Sequence, residues 1–221
     1  MKHHDVTIVL QGPLHNKSGS LCRGIHNIPT YMKFVGSSII STWKNDGPKP
    51  TKKFLAANST RYIEDDMDKY SNMYNWMNIN FQIASSLNGI KEVKTKYVIK
   101  ARCDERYEDL SMFIETIKAN PERLITQKPC YRDGLGENHS WISDHLMGGL
   151  TVKIKDMFEK AYNRCYTHDV PHEYAPEFLL KECFDGDNGW VRMEDLGAFL
   201  FKMGTERITR GVFIETRGEG A

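Results

Sequence analysis

Long apolar runs are missing from this 221-residue chain. No stretch approaches the ~18–20 apolar residues that cross a bilayer, which excludes a membrane-spanning helix. Cysteine is sparse and unpatterned. The five thiols (Cys22, Cys103, Cys130, Cys165, Cys183) are odd in number and never stand as C-x-x-C. That excludes a disulfide frame and a zinc finger and points to reduced, packed thiols of a cytosolic protein. A charge surplus is missing too: 30 Lys+Arg meet 29 Asp+Glu, for a net charge of +1. This argues against a nucleic-acid binder while leaving room for a basic patch around a small anion. G-x-G-x-x-G, Walker A, G-x-S-x-G and HExxH are all absent, which weakens dinucleotide, NTPase, serine-hydrolase and zincin readings. The start, Met1-Lys2-His3-His4-Asp5, runs straight into a strand-like segment without the apolar core of a signal peptide. A cytoplasmic protein is expected.

What is present is an ordinary globular composition, 40% hydrophobic and 27% charged. A chain of this length buries about 70% of its unfolded surface, so a single domain over 1–221 is expected, with the tail after about 210 frayed. Val6-Thr7-Ile8-Val9-Leu10 reads as a strand buried on both faces, stopped by Gln11-Gly12-Pro13. Similar short runs recur at Ser38 to Thr42, Lys53 to Ala57, Tyr97 to Ala101, Leu124 to Thr126 and Leu146 to Val152. Helical spacing lies between them. Trp76, Ile79, Ile83, Leu87 and Ile90 mark a helix over 72–90, and Leu110, Phe113, Ile114 and Ile117 a second, closed at Asn120-Pro121. Met157, Phe158, Ala161 and Tyr162 mark a third, and Phe178 to Phe184 a fourth. Alternating strands and helices predict an α/β Rossmann-like domain with a mostly parallel central sheet flanked by helices. Ligands of such sheets bind beyond the carboxyl ends of the strands. That criterion selects Gln11 to Leu14, Thr42 to Asn45, Asn58-Ser59, Arg102 to Arg106 and Asp144 to Gly149.

The densest chemistry lies in Lys96 to Glu105. Period-two alternation puts Lys100, Arg102 and Asp104 on one face and Ile99, Ala101 and Cys103 on the other. On a central strand such a charged row serves a site: the cations neutralise a diphosphate while Asp104 holds a divalent metal or a sugar hydroxyl. On an edge strand the same row is merely solvated, and the pattern alone leaves both readings open. Asn75, Asn78 and Gln82 form an amide stripe on the helix at 72–90, fit either to fix loop backbones or to read a base and ribose. At Gln11-Gly12-Pro13 a ligand can approach the backbone closely, or the segment is a plain turn. Ser143-Asp144-His145 sets an acid beside a base, or caps a turn; Glu177 after Pro176 is an acid at a helix start. His168 and His172 stand four apart, but Pro171 between them breaks helical ligand geometry. Arg132 to Ser140 reads as a mobile loop, with Asp133 to Ser140 a lid that would exclude water.

Taken in order, Val9-Leu10-Gln11-Gly12-Pro13, Ile40-Ser41-Thr42-Trp43-Lys44, Asn78-x-Asn80-Phe81-Gln82-Ile83 and Tyr97 to Asp104 resemble the WavE-type lipopolysaccharide-synthesis family. The resemblance runs over roughly 5–180 and extends to Ser143-Asp144, Gly148-Gly149 and Pro176-Glu177. It implies a GT-A-like glycosyltransferase with a nucleoside-diphosphate sugar donor, a glycan acceptor and Mn²⁺ or Mg²⁺ bridging the diphosphate. Carried over residue by residue, it puts Gln11, Gly12 and Pro13 near the nucleotide, Thr42 and Trp43 near base or ribose, and Asn78 and Gln82 in the donor pocket. Asp104 would be the metal carboxylate, aided by Lys100 and Arg102. Asp144, with Glu177 second, would be the catalytic base. The chain departs from the pattern twice. Arg102-Cys103-Asp104 stands where Asp-x-Asp is expected, and Phe81 stands where a basic residue is expected. A sugar-1-phosphate nucleotidyltransferase and a catalytically silent nucleotide- or glycan-binding module are the alternatives. The first would want Gly and Lys/Arg after the first strand, where Gln11-Gly12-Pro13-Leu14 is poor in both.

Overall fold

A computed structural model describes residues 1–15, 19–76, 78–127, 143–172, 175–184, 190–192, 200–202 and 208–210. The expected lid over Asp133 to Ser140, Cys130 and the tail beyond Arg210 lie outside them. The ten strands of the described residues are β1 (His3–Gln11), β2 (Val35–Trp43), β3 (Thr60–Asp65), β4 (Tyr97–Arg102), β5 (Arg106–Tyr107), β6 (Leu124–Thr126), β7 (Leu146–Leu150), β8 (Trp190–Arg192), β9 (Leu200–Lys202) and β10 (Ile208–Arg210). Seven form one sheet in the order β3-β2-β1-β4-β7-β6-β8, and β10-β9-β5 form a small second sheet. The β1, β2, β3 and β4 pairings are parallel. β7 runs antiparallel to both β4 and β6. The sheet is thus mostly parallel, with one reversed strand beside its centre.

Helices cover both faces. On one lie α1 (Arg23–His26), α2 (Ile28–Tyr31), α3 (Lys52–Ala57) and α5 (Ser111–Ala119); on the other lie α4 (Ile79–Lys91), α6 (Thr151–Tyr166) and α7 (Pro176–Cys183). Alternation along β1 explains why both layers are apolar: Val6, Ile8 and Leu10 feed the first core and Val9 the second. β4 does the same, with Ile99, Ala101 and Cys103 facing α1, α2 and α5. Lys100 and Arg102 therefore face the α4 side. The cysteines at 22, 103, 165 and 183 are buried free thiols.

Three expectations are corrected. Lys53 to Ala57 is helix, not strand. Thr51 caps it, its hydroxyl accepting from the Phe54 amide at 3.2 Å, and four apolar residues cannot distinguish a helical turn from a strand. The strand in that region is β3, which the charges in Thr60-Arg61-Tyr62-Ile63-Glu64-Asp65 disguise; it is an edge strand with no fully buried residue. The helix expected over 72–90, α4, begins at Ile79 rather than 72, because Asn78 takes left-handed backbone (φ 61°) and stops any continuation upstream. Trp76 lies outside it and is exposed. The run from Leu146 ends as strand at Leu150, and Val152 already belongs to α6.

Candidate active site

α4 returns the chain from the β3 edge to β4, so its N-terminus sits at the carboxyl ends of the parallel strands. A cavity of about 440 Å³ opens there. Gln11, Gly12 and Pro13 line it from the end of β1, and Trp43, Lys44, Asn45 and Asp46 from the end of β2. Arg102 and Asp104 come from β4, and Asn78, Phe81 and Gln82 from α4, with Met67 at one side. Gly12 has φ +114°, backbone that a side chain rarely permits, so the cavity meets bare main chain there. Asn78 makes no capping bond to its own helix, which leaves its amide to the cavity.

Two acceptors in this wall have no partner. Gln11 is 6% exposed, and its Oε1 finds no hydrogen bond; Gln82 Oε1 is also buried and unpaired. A buried acceptor without a donor costs about 1–3 kcal/mol, so such atoms mark places where a ligand completes the site. The loops that carry the rest are tied together at Asp46. Its Oδ2 accepts from the Leu14 amide and from Thr42 Oγ1 at 3.3 Å. Trp43 is held edge-on by Tyr70 and Phe81, at 5.8 and 5.7 Å between centroids.

Arg102 Nε and Nη2 donate to Asp104 Oδ1 and Oδ2 at 2.9 and 2.8 Å. Burial opposes ionisation of Asp104, but the Arg102 fork holds its carboxyl below the usual range. Behind this pair lies a second, mostly buried charge cluster. Lys100 is fully buried and its ammonium donates to the Asp144 carbonyl. Burial pulls its pKa down, with the Asp144 charge working against that. His145 sits between two acids: Nδ1 bonds Glu105 Oε1, and Nε2 is 3.4 Å from Asp144 Oδ1. Burial disfavours the charged ring, but Asp144 and Glu105 outweigh it and carry His145 up to about 9. Burial likewise works against Asp144, which His145, Lys100 and Arg102 nevertheless keep below the ordinary carboxylate value. Glu177, at the start of α7, is pushed the other way, to about 7, by burial and by the Asp144 charge.

Of the residues selected from sequence, Gln11, Gly12, Pro13, Trp43, Asn78, Gln82, Arg102 and Asp104 line one cavity. Thr42 is buried behind the wall, bonded to Asp46. Lys100, Asp144 and Glu177 belong to the charge cluster instead of the lining. The edge-strand reading of Lys100, Arg102 and Asp104 falls, because β4 pairs on both sides. Asn58 and Ser59 drop out, since they precede β3 rather than follow a strand. Asp46 was missed, and Glu105, inside the selected Arg102 to Arg106, was given no role. Asn45-Asp46-Gly47-Pro48, four turn residues just beyond the strand that ends at Trp43, was the signal for Asp46. His168 bonds the Asn72 carbonyl at 2.8 Å, and among the described residues no group of three His, Cys, Asp or Glu is placed to hold a metal.

The profile of the family described as WavE lipopolysaccharide synthesis matches residues 6–148. No curated protein matches the chain. Solved structures that share its fold include the following three. The glycosyltransferase GlyE of Streptococcus pneumoniae TIGR4, in apo form, is 9% identical over 87% of this chain and 46% of its own, with a TM-score of 0.53. The chain thus spans about half of GlyE. The galactosyltransferase LgtC, solved with donor and acceptor sugar analogs, is 11% identical over 85% of this chain and 72% of its own, with a TM-score of 0.52. A Bacillus anthracis protein described as a glucose-1-phosphate thymidylyltransferase, in complex with sucrose, is 12% identical over 84% and 85%, also at 0.52. At such identities the likeness speaks for a GT-A-like fold alone.

Proposed function

The chain belongs to the WavE lipopolysaccharide-synthesis family, and from that premise we propose that it is a glycosyltransferase moving a sugar from a nucleoside-diphosphate donor to a glycan hydroxyl. One observation carries the reading. A cavity of about 440 Å³ at three strand ends combines two unpaired amide acceptors, Gln11 and Gln82, with the cations Lys44 and Arg102. Its size suits a nucleotide. Its donors and acceptors suit a polar heterocycle and a diphosphate. The cytosol, where nucleotide sugars are made, is the compartment this proposal assigns, and residues 1–221 are read as one domain.

In the transfer, an acceptor oxygen forms a bond to the anomeric carbon and gives its proton to a base. The bond from that carbon to the diphosphate breaks, its electron pair leaving on the nucleoside diphosphate. A base works best with a pKa near the working pH. Of the two acids in the charge cluster, that supports Glu177, near 7 and only half-buried at the start of α7, over Asp144, which is 3% exposed and which three cations hold ionised and weakly basic. The order expected from sequence reverses in this proposal, and Asp144 becomes the charge that tunes Glu177. If configuration is retained, the proton leaves with the diphosphate and neither acid is needed for it. The Mn²⁺ or Mg²⁺ implied by the resemblance would rest on Asp104, but both oxygens of Asp104 are on Arg102. The donor set does not fit a resident ion, and no step is routed through one.

The test is a panel of nucleotide sugars screened by thermal shift, since a ligand that binds only the folded state raises Tm. The stabilising donor is then incubated with lipopolysaccharide core oligosaccharides while nucleoside diphosphate is measured. Transfer with diphosphate release is expected. Stabilisation with no turnover would make the chain a silent binding module. Pyrophosphate release from a sugar 1-phosphate and a nucleoside triphosphate would make it a nucleotidyltransferase.

A further inference from the structure

The position two residues before Asp104, where the resemblance expects a second acid, is occupied by a guanidinium. The substitution that removes a metal ligand therefore adds a fixed cation at the same place. Resting on the donor-site reading above, we infer that Arg102, oriented by Asp104, stands in for a divalent ion, so that a nucleoside diphosphate binds in the cavity without one.

The geometry of the fork is the first argument. Arg102 meets both Asp104 oxygens in the plane, at 2.9 and 2.8 Å. A hard dication needs several oxygens turned toward it, and here both oxygens of Asp104 are turned toward a guanidinium instead. The other carboxylate of the cavity wall has one oxygen, Oδ2, engaged already. Asp46 ties two loops, through the Leu14 amide and the Thr42 hydroxyl.

The second argument is what Arg102 has left over. The fork uses its Nε and Nη2 edge. Nη1 stands 3.9 Å from Asp144 Oδ2, beyond hydrogen-bond reach. The side chain is 31% exposed and lines the cavity, so its guanidinium borders the space a ligand would fill. Arginine offers paired, planar donors matched to phosphate oxygens, and a guanidinium held by a carboxylate presents them in one orientation. Lys44 adds a second cation on the same wall, more than half exposed and 3.8 Å from Asp66. Asp104 is, on this account, a positioning residue for Arg102.

The test is calorimetric titration of the full chain with UDP, GDP, CDP and ADP, first in EDTA and then in excess MnCl2. The diphosphate that binds should do so with the same affinity in both. Arg102→Gln should lose about 10–100-fold, the worth of hydrogen bonds to a charged group. Arg102→Lys should recover only part of that loss. Asp104→Asn should weaken binding less than Arg102→Gln, by the same factor with and without Mn²⁺. Each variant is melted without ligand; if Arg102→Gln fails to fold, Arg102→Lys and Asp104→Asn carry the same comparison. Binding that appears only with Mn²⁺, and that Asp104→Asn abolishes, overturns this inference and leaves the donor site standing. Failure of all four diphosphates in both buffers overturns the donor-site reading and this inference with it.

Discussion

Raising the pH should loosen the molecule at one ring. His145 sits between Glu105 and Asp144, and the two acids carry it to about 9 despite its burial. In the unfolded chain the same ring titrates near 6.5. The folded state therefore holds the proton more tightly. The stabilisation is fully present below about 6.5 and is lost as pH rises through about 9. Each tenfold change in proton affinity is worth about 1.4 kcal/mol, so the whole span is about 3 kcal/mol and about 2 of it falls between pH 6.5 and 8.5. With 24% of the ring exposed, solvent screening brings that share to about 1.5 kcal/mol. At about 2–4 °C per kcal/mol for a chain of this size, Tm should drop by about 3–6 °C across the window. Above it the cysteines of the unfolded chain ionise and add a slope of their own, which is why the window ends there. The assay is thermal unfolding at constant ionic strength, run beside His145→Gln, which can hydrogen-bond but cannot titrate in this range. His145→Gln should start lower and lose that part of the slope. A flat wild-type profile, or a slope that His145→Gln leaves intact, would refute the picture of a protonated ring clamped by two acids.

Three further outcomes follow from the same geometry. Glu177→Gln should cut transfer by about 10²-fold or more while leaving diphosphate affinity unchanged, as removal of a general base does; comparable turnover would discard Glu177 as the base. Asp144→Asn should move the acid limb of the kcat/KM profile below about 7, because the Asp144 charge is one of the two causes holding Glu177 there, and an unmoved midpoint would break that link. Gly89→Ala tests how α4 is seated. A Cβ at Gly89 would lie 2.4 Å from Val9 Cγ1 and 3.0 Å from Ser41 Cβ, both on central strands. Overpacking costs about 1–3 kcal/mol against a helix-propensity gain of about 1, so Tm should fall by a few degrees. A Tm that holds or rises would contradict the close approach.

Much of the fold was legible because its central strands are buried on both faces. Val6 to Leu10 and Tyr97 to Ala101 had to read as unbroken apolar runs, with chemistry beginning where they stop. That rule led to Gln11, Trp43, Arg102 and Asp104, which the structure gathers in one cavity. It failed at β3, where one edge is open to water and Arg61, Glu64 and Asp65 need not be excluded. It also could not separate Lys100 from Arg102. Alternation puts both on one face, but only the three-dimensional structure shows that Lys100 ends inside the protein on the Asp144 carbonyl, while Arg102 reaches the cavity. The part Glu105 plays was hidden for a related reason. Its partner His145 is forty positions away, joined to it by the β4–β7 pairing that no local pattern announces.

The reversed direction of β7 has a consequence for how such a protein can change over generations. A parallel strand would bring its last residues to the end of β4; this one brings its first, so Asp144 and His145 arrive at a border already built by the chain up to Asp104. The cavity lining is written upstream of that border, and Asp144, His145 and Glu177 downstream. Lys100 and Arg102 are where the two halves of the chain touch, so a change at either is felt across that border.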